Sequence, residues 1–185
     1  MAGLRSLRLG LCAALAVTLL LQATAAAEPA SEYQVKAVFL FNFSHFVSWP
    51  AEAFGSSDAP LVIAVLGHDP FGADLDSVVS GERIGDRPLV VRRYRDMAEV
   101  KDCQILFIDR SETAQLPQII KALHGRSILT VSDIDDATSS GVVIDLVKES
   151  DHIRLKINVA AAREGRLTLS SKLLRPAQIV GAGEG

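Results

Sequence analysis

The sequence predicts an α/β domain of three layers, with a mixed, mainly parallel sheet, a long aromatic N-terminal helix and a C-terminal antiparallel hairpin. Three observations predict it. Continuous apolar runs of strand length recur at residues 61–66 (LVIAVL), 104–109 (QILFID) and 127–131 (SILTV), the pattern of parallel strands buried on both faces. Helical stretches at residues 71–79 and 113–123 separate them, which is how βα units alternate in a parallel sheet. After Gly141 the pattern changes to two segments, 142–148 and 153–157, joined by residues 149–152. In the second, Ile153, Leu155 and Ile157 alternate with Arg154 and Lys156, the period of a half-exposed strand, so the pair reads as a hairpin.

The remaining elements follow in order. Ser31-Glu32-Tyr33-Gln34 is a capping box, with Ser31 taking the N3 amide and Gln34 reaching back. It opens a helix expected to run to about Ser48, ended by Trp49-Pro50 because proline disfavours helix at the residue before it. Val35, Val38, Phe39, Asn42, Phe43 and Phe46 recur three and four apart and are expected to share the core face. Residues 89–94 form a strand of weaker alternation, and Pro117 delays the start of the 113–123 helix. Asn158 caps a short helix that Gly165 stops, and Ser170 or Ser171 caps another at 172–175.

Length and composition set the class. One domain suits 185 residues. The chain is 49% hydrophobic and 22% charged with two cysteines, which excludes a collagen, a disordered acidic tail and a disulfide-stapled miniprotein. A formal charge of −3 argues against nucleic acid as a partner. The first 27 residues differ in kind: Arg5 and Arg8 precede an apolar run at residues 9–21, which leads into Ala25-Ala26-Ala27. This reads as a secretory signal peptide, residues 1–27, ahead of a single domain at 28–185. The run is well short of the roughly 20 residues a membrane-spanning helix needs, and nothing later resembles a span, so no direct membrane insertion is expected. Cys12 follows Leu11 rather than a small residue, against lipid anchoring, which leaves Cys103 as the only cysteine of the exported chain.

Signatures of catalysis and of cofactor binding are missing: there is no GxSxG, HExxH, P-loop or GxGxxG. His45, His68, His124 and His152 are scattered without a second ligand at helical or hairpin spacing, so no metal is expected. Ligands of open α/β sheets bind at the carboxyl ends of the strands. There the loops are Gly67-His68-Asp69-Pro70, Asp109-Arg110-Ser111 and Ser132-Asp133. Their hydroxyls, carboxylates and one guanidinium make an effector pocket for a small polar ligand, with His68, Asp69, Ser111, Ser132 and Asp133 as its residues, or alternatively a set of caps and turns. Asp133, Asp135 and Asp136 read either as a cation site or as acids answering a helix N-terminus. Arg87, Arg92, Arg93 and Arg95 are a solvated face or a basic patch. Cys103 is either a core filler or a redox-active thiol able to link a homodimer. Phe39, Asn42, Phe43 and Phe46, with Trp49, are either core packing or a partner-binding surface.

Glu32-Tyr33-Gln34-Val35-Lys36-Ala37-Val38-Phe39-Leu40-Phe41-Asn42-Phe43, followed by Phe46 and Trp49-Pro50, resembles the opening of the YfiR family of periplasmic proteins. The likeness continues through Val65-Leu66-Gly67-His68-Asp69-Pro70-Phe71, residues 103–108, Ile128-Leu129-Thr130-Val131-Ser132-Asp133, Ile157-Asn158 and residues 169–174. The resemblance implies a periplasmic, non-enzymatic repressor of an inner-membrane diguanylate cyclase, or a sensor domain of a membrane kinase, acting in cyclic-di-GMP signalling and biofilm control, with dimers expected. The alternative is a periplasmic small-molecule sensor without a cyclase partner. The chain departs from the family at Ser140-Gly141, where many members have Gly-Gly, and Cys103 occupies a family cysteine position without an intramolecular partner.

Overall fold

Ser31 opens the first helix, α1 (Glu32–Phe46), as a capping box: its hydroxyl accepts from the Gln34 amide at 3.2 Å and its own amide donates to Gln34 Oε1 at 2.8 Å. The computed structural model describes residues 31–181, so the expected signal peptide at 1–27 lies outside the described residues. After α1 come β1 (Val47–Ser48), β2 (Leu61–Leu66), α2 (Ala73–Val79), β3 (Arg83–Ile84), β4 (Arg87–Tyr94), β5 (Ile105–Ile108), α3 (Leu116–Leu123) and β6 (Leu129–Ser132). The chain continues as β7 (Ile144–Glu149), β8 (His152–Asn158), α4 (Val159–Glu164), β9 (Thr168–Leu169), α5 (Ser171–Leu174) and β10 (Gln178–Val180).

Eight strands form one sheet in the order β10-β8-β7-β6-β5-β2-β4-β3, and β1 with β9 makes a separate antiparallel pair. The β3–β4 and β7–β8 pairings are antiparallel and the other five are parallel, the mixed, mainly parallel sheet the apolar runs predict. Every residue of β2 is buried, and its alternating side chains serve two cores. Ile63 and Val65 join Ala37, Leu40 and Phe43 of α1 and Leu75 of α2, whereas Val62, Ala64 and Leu66 join Leu116, Ile119 and Leu123 of α3. Helices on both faces of the sheet complete the three layers. The weakly alternating segment is a full strand, β4, parallel to β2 in a register running from Leu61↔Leu89 to Leu66↔Tyr94.

Two expectations about α1 need correction. The helix stops at Phe46, and Val47–Ser48 pairs with Thr168–Leu169. Pro50 already forbids further turns, and the freed backbone is taken by the Ser170 amide donating to the Phe46 carbonyl at 2.9 Å. The buried face is also different: it carries Lys36, Ala37, Leu40, Phe43 and Ser44, while Val38 is 45% exposed and Val35, Phe39, Asn42 and Phe46 lie half-buried at the flanks. A helix apolar almost all round has no unique stripe for periodicity to find.

Register decides where the loops fall. Leu66 pairs with Ile108 and Ile108 with Ser132, so the carboxyl ends of β2, β5 and β6 stop level and the segments starting at Gly67, Asp109 and Asp133 emerge side by side. Gly67 makes the first of these contacts possible. It sits at φ +93°, and a Cβ there would fall 2.5 Å from Ser111 Oγ. Gly67→Ala is therefore expected to destabilise the fold by roughly 1–3 kcal/mol through backbone strain and crowding. Denaturant unfolding checks this; a midpoint equal to wild type would show that the two loops separate freely.

Candidate functional site: a buried ion pair at the strand ends

Lys36 and Glu32 are one helical turn apart on α1, at the i,i+4 spacing that lets opposite charges meet. Lys36 Nζ donates to Glu32 Oε1 and to Asp133 Oδ2, each at 2.5 Å. Neither the Lys36 nor the Asp133 side chain has any exposed surface. Tyr33, on the same turn, donates its hydroxyl to Asp133 Oδ2 at 3.1 Å, and its ring lies 4.5 Å from Lys36 Nζ. Arg110, just beyond β5, approaches the other carboxylate oxygen, with Nε 3.5 Å from Asp133 Oδ1. Glu32 is shared outward with Lys148 of β7 at 2.8 Å. The site thus ties the first turn of α1 to the carboxyl ends of β5 and β6.

Electrostatics follow from this crowding. Hydrogen bonds from Lys148 and then Lys36 hold the Glu32 carboxyl below its ordinary range. Burial, and then the Asp133 charge, push Tyr33 up to about 12, so it remains a phenol and donates. Next to this cluster Asp145 of β7 is 1% exposed, and burial pushes it up to about 6 against the partial relief of Lys156. Asp145 Oδ2 and Asp133 Oδ1 are buried without a hydrogen-bond partner. Both residues line a cleft of about 290 Å³ together with Arg110, Asp135, Asp136, Val147, Lys148 and Lys156. Among the described residues no group of three or more His, Cys, Asp or Glu side chains is placed to hold a metal ion.

The structure distributes the sequence-predicted residues as follows. Asp133 enters the ion-pair site. The His68 amide donates to Ser111 Oγ at 3.0 Å, so these two loops meet, but Asp69 is committed to Arg93 at 2.5 Å and to the Phe71 amide at 2.9 Å. Ser132 is fully buried, donating to the Ile108 carbonyl and accepting from the Ile134 amide. Of the five residues expected in the effector pocket, Asp133 lines the cleft, His68 and Ser111 meet at neighbouring loops, and Asp69 and Ser132 make internal bonds.

Of the expected partner surface, Phe43 is 1% exposed and packs in the core. Trp49 Nε1 donates to the Gln104 carbonyl at 3.0 Å, and Gln104 in turn bonds the Val62 amide and the Ala53 carbonyl. Phe39, Asn42 and Phe46 remain half-buried on α1. Cys103 is 3% exposed, and burial pushes its thiol up to about 12, which leaves it protonated and a poor nucleophile at neutral pH. Arg93 is not a free basic patch, since it also pairs with Asp76 at 2.5 Å.

Lys36, Glu32, Tyr33 and Asp145 are absent from the sequence-derived candidates, whereas Arg110 falls in the strand-end loop that the sequence singled out. The available signal was a lysine inside an otherwise apolar helix, four residues after a glutamate. What this fold and site define is a three-layer α/β domain whose first helix is locked by charge over the strand ends. The family model described as YfiR/HmsC-like matches residues 33–178, a span that starts at Tyr33 and contains Lys36, Arg110, Asp133 and Asp145. The chain belongs to the YfiR/HmsC-like family. A comparison with curated proteins finds no match.

Two outcomes test the site. Lys36→Met leaves the Asp133 carboxylate buried against Tyr33 and Arg110, and is expected to lose about 3–5 kcal/mol in denaturant unfolding. The Lys36→Met/Asp133→Leu double variant should recover a large part of that loss, because the orphaned charge is gone. Asp145 gives a pH signature. Its folded pKa lies above the 3.8 of an ordinary aspartate, so the native chain holds an extra proton between about pH 4 and about 6 and loses stability as pH rises through that window. Asp145→Asn should raise the melting temperature at about pH 8 and converge on wild type below about pH 4; a difference independent of pH would contradict the assignment.

Proposed function

We propose that the exported chain is a non-enzymatic periplasmic regulator that binds the periplasmic part of an inner-membrane diguanylate cyclase or sensor kinase and damps cyclic-di-GMP signalling. Membership of the YfiR/HmsC-like family over residues 33–178 carries this reading. No helix among the described residues is long and apolar enough to cross a membrane, which is consistent with action on a membrane protein from outside the bilayer. A regulator of this kind shifts its partner only by binding one of the partner's states better than the other.

The docking surface in this reading is the flank of α1. Val38 is exposed, and Phe39, Asn42 and Phe46 are half-buried beside it, so a partner helix or strand could bury them further. The alternative, a periplasmic small-molecule sensor without a cyclase partner, draws its support from the cleft beside Asp133 and Asp145.

Deletion of the gene is expected to raise cellular cyclic-di-GMP, and the tagged protein is expected to capture a cyclase or kinase from detergent-solubilised inner membranes. Val38→Arg should weaken that capture roughly tenfold or more without lowering the melting temperature. Unchanged cyclic-di-GMP together with no captured membrane signalling protein would sink the regulator reading.

A further inference from the structure

A cleft beyond the carboxyl end of β6, beside β7, is lined by two buried aspartates: Asp145 Oδ2 has no partner, and Asp133 Oδ1 meets only Arg110, at 3.5 Å. Asp145 is 1% exposed and Asp133 2% exposed, yet Asp145 Oδ2 and Asp133 Oδ1 accept no hydrogen bond. A buried, unpaired carboxylate oxygen is expensive, which is why such groups are normally hydrogen-bonded. Asp145 Oδ2 is such an atom, Asp133 Oδ1 has only the long contact to Arg110, and both residues line the same cleft of about 290 Å³.

Charge bookkeeping around that cleft is unbalanced. Four acids line it, Asp133, Asp135, Asp136 and Asp145, against Arg110, Lys148 and Lys156. Lys148 spends its charge on Glu32 outside the cleft, and Lys156 pairs with Asp136 at 2.6 Å. Arg110 lies 3.5 Å from Asp133 and 3.9 Å from Asp135. Asp145 is left with no cation in salt-bridge contact among the described pairs. We propose that this cleft binds a small molecule bearing a primary ammonium group, whose N–H donors satisfy Asp145 Oδ2 and complete the coordination of Asp133.

Three observations narrow the ligand to that class. The unpaired atoms are acceptors, so the ligand must donate. The donor set does not suit a bare metal ion, since no three acidic, His or Cys side chains among the described residues are placed for one. The volume lies at the lower edge of ordinary small-molecule sites, which fits a small amine and excludes a bulky one. Within the lining, Lys156 is held to Asp136 by a partly exposed ion pair of the kind worth about 0–1 kcal/mol, which an incoming cation can displace. This site stands whether or not the chain has a membrane partner, so its failure and that of the regulator reading are separable.

The test is calorimetric titration and thermal shift of the purified protein with ethylamine and putrescine, and separately with magnesium and calcium chloride at matched ionic strength. Saturable binding and stabilisation by the amines is expected. Asp145→Asn, which keeps the shape, should weaken amine binding roughly ten- to hundredfold by removing a charged hydrogen bond. Lys156→Met, which removes a competing cation from the cleft, should strengthen it. Absence of saturable amine binding, equal binding by Asp145→Asn and wild type, or saturation by the divalent ions alone would each overturn the proposal.

Discussion

The Lys36–Asp133 pair is the constraint on which the rest of the arrangement depends. A lysine with no exposed side-chain surface is tolerable only if its charge is met, and here Glu32 and Asp133 meet it at hydrogen-bond distance. Two hydrophobic residues would hold the same space at no desolvation penalty, so the pair adds little net stability. What it adds is position. An apolar helix could rotate against the sheet with small loss, but Lys36 has only one place where its charge is answered.

That single choice of rotation decides what else α1 does. With Lys36 turned to Asp133, Ala37, Leu40 and Phe43 face the sheet, and Val38 is carried to the outside. Tyr33 follows on the same turn and packs edge-on against Phe71 at 5.6 Å, which packs against Phe107 at 4.8 Å. The loop after β2 is thereby tied through aromatic contacts to both α1 and β5. One charged contact thus sets the buried face, the exposed flank and the roof of the strand-end loops together.

The neighbouring Asp145 shows the opposite use of burial. Asp133 is answered on one oxygen and Asp145 is left with an orphan, so one carboxylate organises the helix while the other keeps unspent hydrogen-bonding capacity at a cleft. Asp133 follows β6 and Asp145 lies near the start of β7, opposite Ser132, so the parallel register of these two strands sets the stabilising and the unspent carboxylate beside one another. Cys103, by contrast, lies apart in the second core with Leu106 and Ile128, and its burial removes it from ordinary thiol chemistry.

The architecture was legible in the sequence because its signals are local. Apolar runs of strand length, the Ser31-Gln34 capping box, the Asn158 cap and the alternation of residues 153–157 each depend on near neighbours, and each appears where expected. The YfiR-like series of motifs was legible for the same reason, as short blocks in a fixed order. The face of α1 and the membership of the site were not, since they rest on contacts between residues about a hundred positions apart, such as Lys36 with Asp133 and Tyr33 with Asp133. Sequence by itself therefore determined the main helices and strands, their order and the family likeness, but not the short strands β1, β3, β9 and β10, which exist only through pairing with distant or neighbouring segments. Only the tertiary structure decided that a lysine would be buried, which oxygens would be left unpaired and where the cleft would form, because desolvation and charge pairing are properties of the packed chain.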